Sequence, residues 1–266
     1  YTTLFRSKED TMKRRAEASP NTTPVLPSTT PFPYADYAET KTALQKALRA
    51  SHFYALVAGA SGMGKTCLLR DIATGLDRHR HTIVYISSAN ASLVGVVRFL
   101  AQALHVTPRR SYLETVQILT EAISAHTGHL LLWIDEAHEV EPATLQELRK
   151  LAESHLGQEQ LLSVVLSGLP ALVSQLDAPR LFPLKRRIGL RFVLAGLRRD
   201  ELDAFIEHRF GTVDAQRIPD GVRDDLFERT QATPALIDAV VRRALQTRKA
   251  KLDTDEIRAI LDKQGF

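Results

Sequence analysis

The sequence holds a single cysteine, Cys67, among 266 residues, which excludes an internal disulfide framework and points to a reducing compartment. No uninterrupted apolar stretch approaches the ~20 residues that a membrane-spanning helix needs. No stretch has the charged, apolar and small-residue succession of a secretory leader. A cytoplasmic protein without a membrane partner is therefore expected. Internal repeats are absent, and neither sign of charge dominates: the net charge is +4. The surplus is uneven, since residues 1–194 hold 22 Lys and Arg against 17 Asp and Glu, whereas 195–266 hold 13 against 14. A mildly basic front half permits an acidic partner such as nucleic acid without demanding one. The first residue is Tyr1, not Met, so segments beyond either end are left open.

Five short apolar, β-rich runs are present: FYALVAG, TIVYISS, LLLWID, LLSVVLSG and IGLRFVLAG. Between them, LVGVVRFLAQAL, SYLETVQILTEAISAH and PATLQELRKLAESHL repeat apolar residues at three- and four-residue spacings, as helices do. Ser111 and Glu114 suggest a capping box, and Pro142 suits a first helical turn. Strands that are apolar throughout and separated by helices imply an α/β fold with a parallel sheet covered on both faces. After Gly196 the strands stop and helical patterns continue to the end. The expected organisation is a flexible arm rich in Ser, Thr and Pro over 1–30, an αβ nucleotide-binding core over 31–195 and a small all-helical lid over 196–266.

GASGMGKT, residues 59–66, stands between an apolar strand and a helix. The spacing Gly59-x4-Gly64-Lys65-Thr66 is the phosphate-binding loop pattern, in which glycines let successive N–H groups turn inward and a helix presents its positive end to the same point. Gly59, Ala60, Ser61, Gly62, Met63, Gly64, Lys65, Thr66 and Cys67 are thus the expected nucleotide contacts. Lys65 would neutralise β- and γ-phosphates, and Thr66 would hold Mg²⁺. Some 70 residues on, LLLWI delivers Asp135 and Glu136 to the sheet edge. The first carboxylate suits Mg²⁺ and the second can polarise the water that attacks the γ-phosphate. Ser167, at the end of another strand, is placed either to orient that water or touch the γ-phosphate, or to serve as a turn hydroxyl. His138 reads as a surface histidine at a helix start or as a γ-phosphate sensor. Lys185, Arg186 and Arg187 precede the last strand, either as a solvated basic turn or, in a ring or filament, as the source of an arginine reaching a neighbour's γ-phosphate, Arg187 first and Arg186 second.

GASGMGKT, LLLWIDEAH, LSGLPALVSQLDAPRLFPLKRRIGLRF and ATPALIDAVVRRAL together resemble an AAA+ ATPase of the group that includes ExeA-like secretion ATPases and the TnsC, TniB and MuB transposition regulators. The resemblance spans roughly residues 32–250. It implies ATP and Mg²⁺ held between core and lid, a ring or helical filament of about six subunits per turn, Ser167 as sensor and Arg187 as finger. Its pattern often has an arginine directly after the lid proline, where this chain reads Thr233-Pro234-Ala235; Arg242 and Arg243, two turns on, read either as compensating for it or as exposed helix charges. The expected function is a sequence-nonspecific ATPase binding double-stranded DNA and recruiting a transposase, with Arg98, Arg109 and Arg110 as phosphate contacts. The alternative is a secretion or pilus-assembly ATPase acting on an envelope protein.

Overall fold

The computed structural model describes residues 30–50, 52–87, 92–152, 162–247 and 252–263. The arm expected over 1–30, Thr30 excepted, lies outside the described residues, as do the ends of two expected helices beyond Ala152 and Thr247. Five strands form one parallel sheet: β1 (Tyr54–Gly59), β2 (His81–Ser87), β3 (His129–Asp135), β4 (Ser163–Gly168) and β5 (Ile188–Leu194), in the order β2-β3-β4-β1-β5. Helix α1 (Ala35–Ala50) precedes β1, and the four connections carry α2 (Lys65–Thr74) after β1, α3 (Leu93–Ala103) and α4 (Tyr112–Ala125) between β2 and β3, α5 (Pro142–Ala152) before β4, and α6 (Ala171–Gln175) and α7 (Phe182–Arg187) before β5. The described residues from Pro31 onward form one compact unit.

Alternation along the strands sorts the core into two layers, because successive side chains leave a strand on opposite faces. Ala55, Val57, Leu131, Trp133 and Val165 face α1, α2 and the C-terminal helices, while Tyr54, Leu56, Leu130, Leu132, Ile134, Val164 and Leu166 face α3 to α7. Every residue of β1 and β4 is buried. A two-sided core of this kind requires strands that are apolar at every position, which is why the runs show no polar alternation.

The expected strands and long helices are present. In α3, Ser92 caps the helix by accepting from the Gly95 N–H at 3.1 Å, and Val96, Val97, Leu100 and Ala101 form the buried stripe. The capping box at Ser111 does not form. Thr115 takes over instead: its Oγ1 accepts from the Arg109 N–H (2.9 Å) and donates to the Ser111 carbonyl (2.9 Å), fixing the loop ahead of α4. Lys185, Arg186 and Arg187 end the helix α7, where a turn was one of the two readings.

Beyond β5 the chain is helical: α8 (Leu202–Phe210), α9 (Thr212–Ala215), α10 (Arg223–Arg229), α11 (Pro234–Leu245) and α12 (Thr254–Lys263). Gly196 joins them to the sheet at φ +109°, and a Cβ there would lie 2.6 Å from the Ala232 carbonyl oxygen, so only glycine fits. The same carbonyl accepts from Leu197 N–H at 2.9 Å.

Candidate nucleotide site

Three glycines in the loop after β1 answer to different demands. Gly64 adopts φ +94° as the N-cap of α2, and Gly62 adopts φ +84°, both in the region that side-chain-bearing residues avoid. Close approach is the second demand. A Cβ on Gly62 would stand 2.9 Å from Ala235 Cβ and 3.0 Å from Thr233 Cγ2, and one on Gly59 3.0 Å from the Leu194 carbonyl oxygen. The Ala235 N–H donates to the Gly62 carbonyl at 3.3 Å, so α11 rests its first turn on the loop. Because Ala235 occupies that contact, the position after Pro234 supplies no cation. Arg242 is paired with Asp238 at 3.0 Å and lies over the Phe210 ring.

Lys65 folds back over the loop. Its Nζ donates to the carbonyls of Gly59 (2.9 Å) and Ala60 (3.0 Å), and the residue is 4% exposed. No ion pair to another described residue neutralises this ammonium. A buried cation held only by neutral acceptors is a setting that favours a polyanion, and it lies where the N-terminal amides of α2 begin. Both features fit a nucleotide's phosphates. Cys67, in the first turn of α2, is a free, exposed thiol.

The order of the strands places β4 between β1 and β3, and that gathers the remaining groups. Asp135, 3% exposed at the end of β3, accepts at Oδ2 from Thr66 Oγ1 (2.6 Å) and the Tyr85 hydroxyl (3.3 Å), and at Oδ1 from Ser167 Oγ (2.7 Å) and the Glu136 N–H (3.1 Å). A threonine hydroxyl and a carboxylate oxygen in contact are the hard donors that Mg²⁺ takes, and too few to hold it without phosphate or water. Consistent with that, the described residues contain no His, Cys, Asp or Glu cluster able to hold a metal by itself.

Ser167 is fully buried, and its Oγ also accepts from Trp133 Nε1 at 2.7 Å. The Ile134 carbonyl also lies 3.4 Å from this hydroxyl, so three protein groups surround it, and it orients the Asp135 carboxylate. Tyr85 was not singled out in the sequence, where one aromatic in an apolar strand gives no signal. Desolvation, with the Asp135 charge adding to it, pushes its phenol up to about 12, which keeps it a donor. Tyr34 was missed as well; its hydroxyl donates to the Met63 carbonyl at 2.7 Å and ties the start of α1 to the loop.

Glu136 holds a left-handed backbone, φ +52°, a conformation costing roughly 1–2 kcal/mol for a non-glycine residue. Its Oε2 stands 3.4 Å from His138 Nδ1. His138 is not a surface residue, since its side chain is only 14% exposed.

Arg186 and Arg187 stand elsewhere. Ile188 pairs with Tyr54 and Leu194 with Gly59, so these arginines flank the start of β5, and six residues of strand, roughly 20 Å, separate that end from the loop after Gly59. Arg186 lies over the Phe182 ring. Arg98, on α3, and Arg109 and Arg110, between α3 and α4, are exposed.

Residues 51–176 match the family model described as AAA domain. The general secretion pathway protein A of Aeromonas hydrophila is 26% identical over 206 residues, which are 72% of this chain and 36% of that protein; the chain thus spans about a third of this curated relative. Among solved structures, Cdc6p from Pyrobaculum aerophilum superposes with a TM-score of 0.67 at 18% identity, covering 90% of this chain and 69% of its own. The Aeropyrum pernix ORC1 protein in complex with DNA gives 0.59 at 17%, covering 90% and 66%. The fold is the P-loop AAA+ fold: a parallel five-stranded sheet between helical layers, with helices following it.

Proposed function

We propose that this chain is a magnesium-dependent AAA+ ATPase that works as an oligomer, and that its nucleotide state sets a sequence-independent grip on duplex DNA in the service of transposition. The observation that carries the ATPase reading is Asp135, oriented by four donors with Thr66 against it and the Lys65 ammonium over the adjoining loop. In this reading Lys65 meets the β- and γ-phosphates, and Thr66 and Asp135 hold Mg²⁺. The metal supplies charge neutralisation at the phosphate oxygens. Glu136 accepts the proton of the water whose oxygen attacks the γ-phosphorus while the bond to the β-phosphate oxygen breaks. Arg187 is too far along β5 to serve its own site, so it acts on a neighbour's. The core over 31–195 and the helices from 196 onward are the two parts between which nucleotide is held.

Charge pairing supports a nucleic-acid partner. In the C-terminal helices most arginines are spoken for: Arg199 pairs with Asp224, Arg209 with Asp238, Arg223 with Asp203 and Arg258 with Asp225. Arg98, Arg109 and Arg110 are exposed and make no ion pair to another described residue, which leaves them available to phosphates. The likeness to general secretion pathway protein A favours a second reading, an ATPase acting on an envelope protein.

Glu136→Gln separates the two. The variant should bind ATP without hydrolysing it and hold duplex DNA at least tenfold more tightly with ATP than with ADP. The grip should weaken steeply with salt and ignore sequence, as measured by fluorescence anisotropy. Equal binding with both nucleotides, or none at low salt, would remove the DNA reading in favour of the secretion-type one.

A further inference from the structure

His138 Nδ1 faces two groups with opposite needs. Glu136 Oε2, 3.4 Å away, is an acceptor, and the Leu169 N–H, also 3.4 Å away, is a donor. One ring nitrogen carries either a hydrogen or a lone pair, so it serves one of them at a time. With hydrogen on Nδ1 the ring donates to the Glu136 carboxylate. With hydrogen on Nε2 it accepts from Leu169 and turns a lone pair toward that carboxylate. We propose that His138 is a positioning residue for Glu136, donating from Nδ1 to its carboxylate and coupling its aim to the turn that follows β4.

A second observation supports this. The imidazole packs so closely on Gly168 that a Cβ there would stand 3.0 Å from Nδ1 and 3.3 Å from the His138 nitrogen. Gly168 has no positive φ, so a side chain there is opposed by crowding, from the ring first and then from Leu172 Cδ2 at 3.2 Å, and not by its own backbone conformation. The carboxylate also needs a holder. Glu136 is 42% exposed in its side chain, at the N-cap of a short 3₁₀ turn (Ala137–Glu139), and a base in that setting samples rotamers that miss the water unless a donor selects one. His138 is the ring within that turn, and it is wedged against β4 and its following loop.

The inference rests on Glu136 activating water, and the test distinguishes the two. Three variants of His138 are compared at saturating Mg²⁺ and duplex DNA: His138→Asn, whose amide nitrogen falls near the position of Nδ1, His138→Gln, whose amide falls near Nε2, and His138→Ala. Alanine and glutamine should each lower kcat about tenfold or more with KM for ATP within twofold of the parent, and asparagine should recover most of the loss. Gly168→Ala should give an intermediate fall in kcat by pushing the ring aside. Parental kcat in His138→Ala, equal losses in the asparagine and glutamine variants, or losses that follow melting temperature would overturn the proposal. Glu136→Gln run alongside should be inactive; parental turnover by that variant would remove Glu136 as the base, and the role of His138 with it.

Discussion

At Asp135 one carboxylate takes two donors on each oxygen, and the least replaceable of them is Ser167. Its hydroxyl also accepts from the Trp133 indole N–H, in a region with no exposure. Ser167→Ala therefore leaves a buried donor unmet, at about 1–3 kcal/mol, and frees Oδ1 from one of its two restraints. A fall in melting temperature of roughly 2–10 °C is expected, together with a several-fold rise in the Mg²⁺ concentration that half-saturates hydrolysis and little change in KM for ATP. Thermal unfolding and a Mg²⁺ titration check both; parental values in each would show that Asp135 is held without the serine. That role was not legible in the sequence. What Ser167 touches depends on β4 inserting between β1 and β3, and strand order leaves no mark on a single strand's composition.

Strand starts carry a different chemistry from strand ends. His81 stands opposite His129 in the ladder between β2 and β3, and His52 precedes β1, so three rings meet at the edge of the sheet away from the phosphate loop, with centroids 4.5 Å (His52–His129) and 5.8 Å (His81–His129) apart. Nε2 of His129 is 2.7 Å from Ser163 Oγ. Desolvation, and then the proximity of His52 and His81, lowers His129 to about 4, and desolvation lowers His52. The unfolded chain binds more protons between about 6.5 and 4, so the full stability present above that window is lost as pH falls through it. Melting temperature should drop by a few degrees more between pH 7.5 and 5 in the parent than in His129→Gln, as scanning calorimetry would register; parallel profiles would remove His129 as the cause. The strands that assemble this edge were legible as short apolar, β-rich runs, although β2 at the sheet's border buries only Val84 and Ile86. The cluster was not, since its members lie 29 and 48 residues apart in the chain, at 52, 81 and 129. Helices α6 and α7 escaped for a related reason: five and six residues are too few to display a 3.6-residue period.

Across the whole molecule, the phosphate loop and the arginine pair occupy opposite ends of neighbouring strands. If Arg187 completes a neighbour's site, Arg187→Ala and Lys65→Ala should each be inactive alone. Mixed, they should regain a fraction of parental turnover, because some interfaces pair an intact loop with an intact arginine. A coupled phosphate-release assay across mixing ratios measures it, and a flat baseline at every ratio would place the missing cation in the same chain as the loop. The α11 contact on Gly62 belongs to this scale too, since it was the departure at Thr233-Pro234-Ala235 that marked the lid as unusual, and the structure shows a small residue wanted there for packing.

If Arg187 completes a neighbour's site as proposed, the roughly 20 Å of strand that parts its end of β5 from its own loop has a consequence for how much of the protein a cell must make. A site divided between two copies is assembled by mass action, so turnover per chain rises with abundance and fades on dilution even when every molecule is folded and saturated with substrate. Scarcity then acts as an off state, and a surface that gathers copies acts as an on state by raising their effective concentration alone. Under that proposal the chain would count its own kind before it turned over nucleotide.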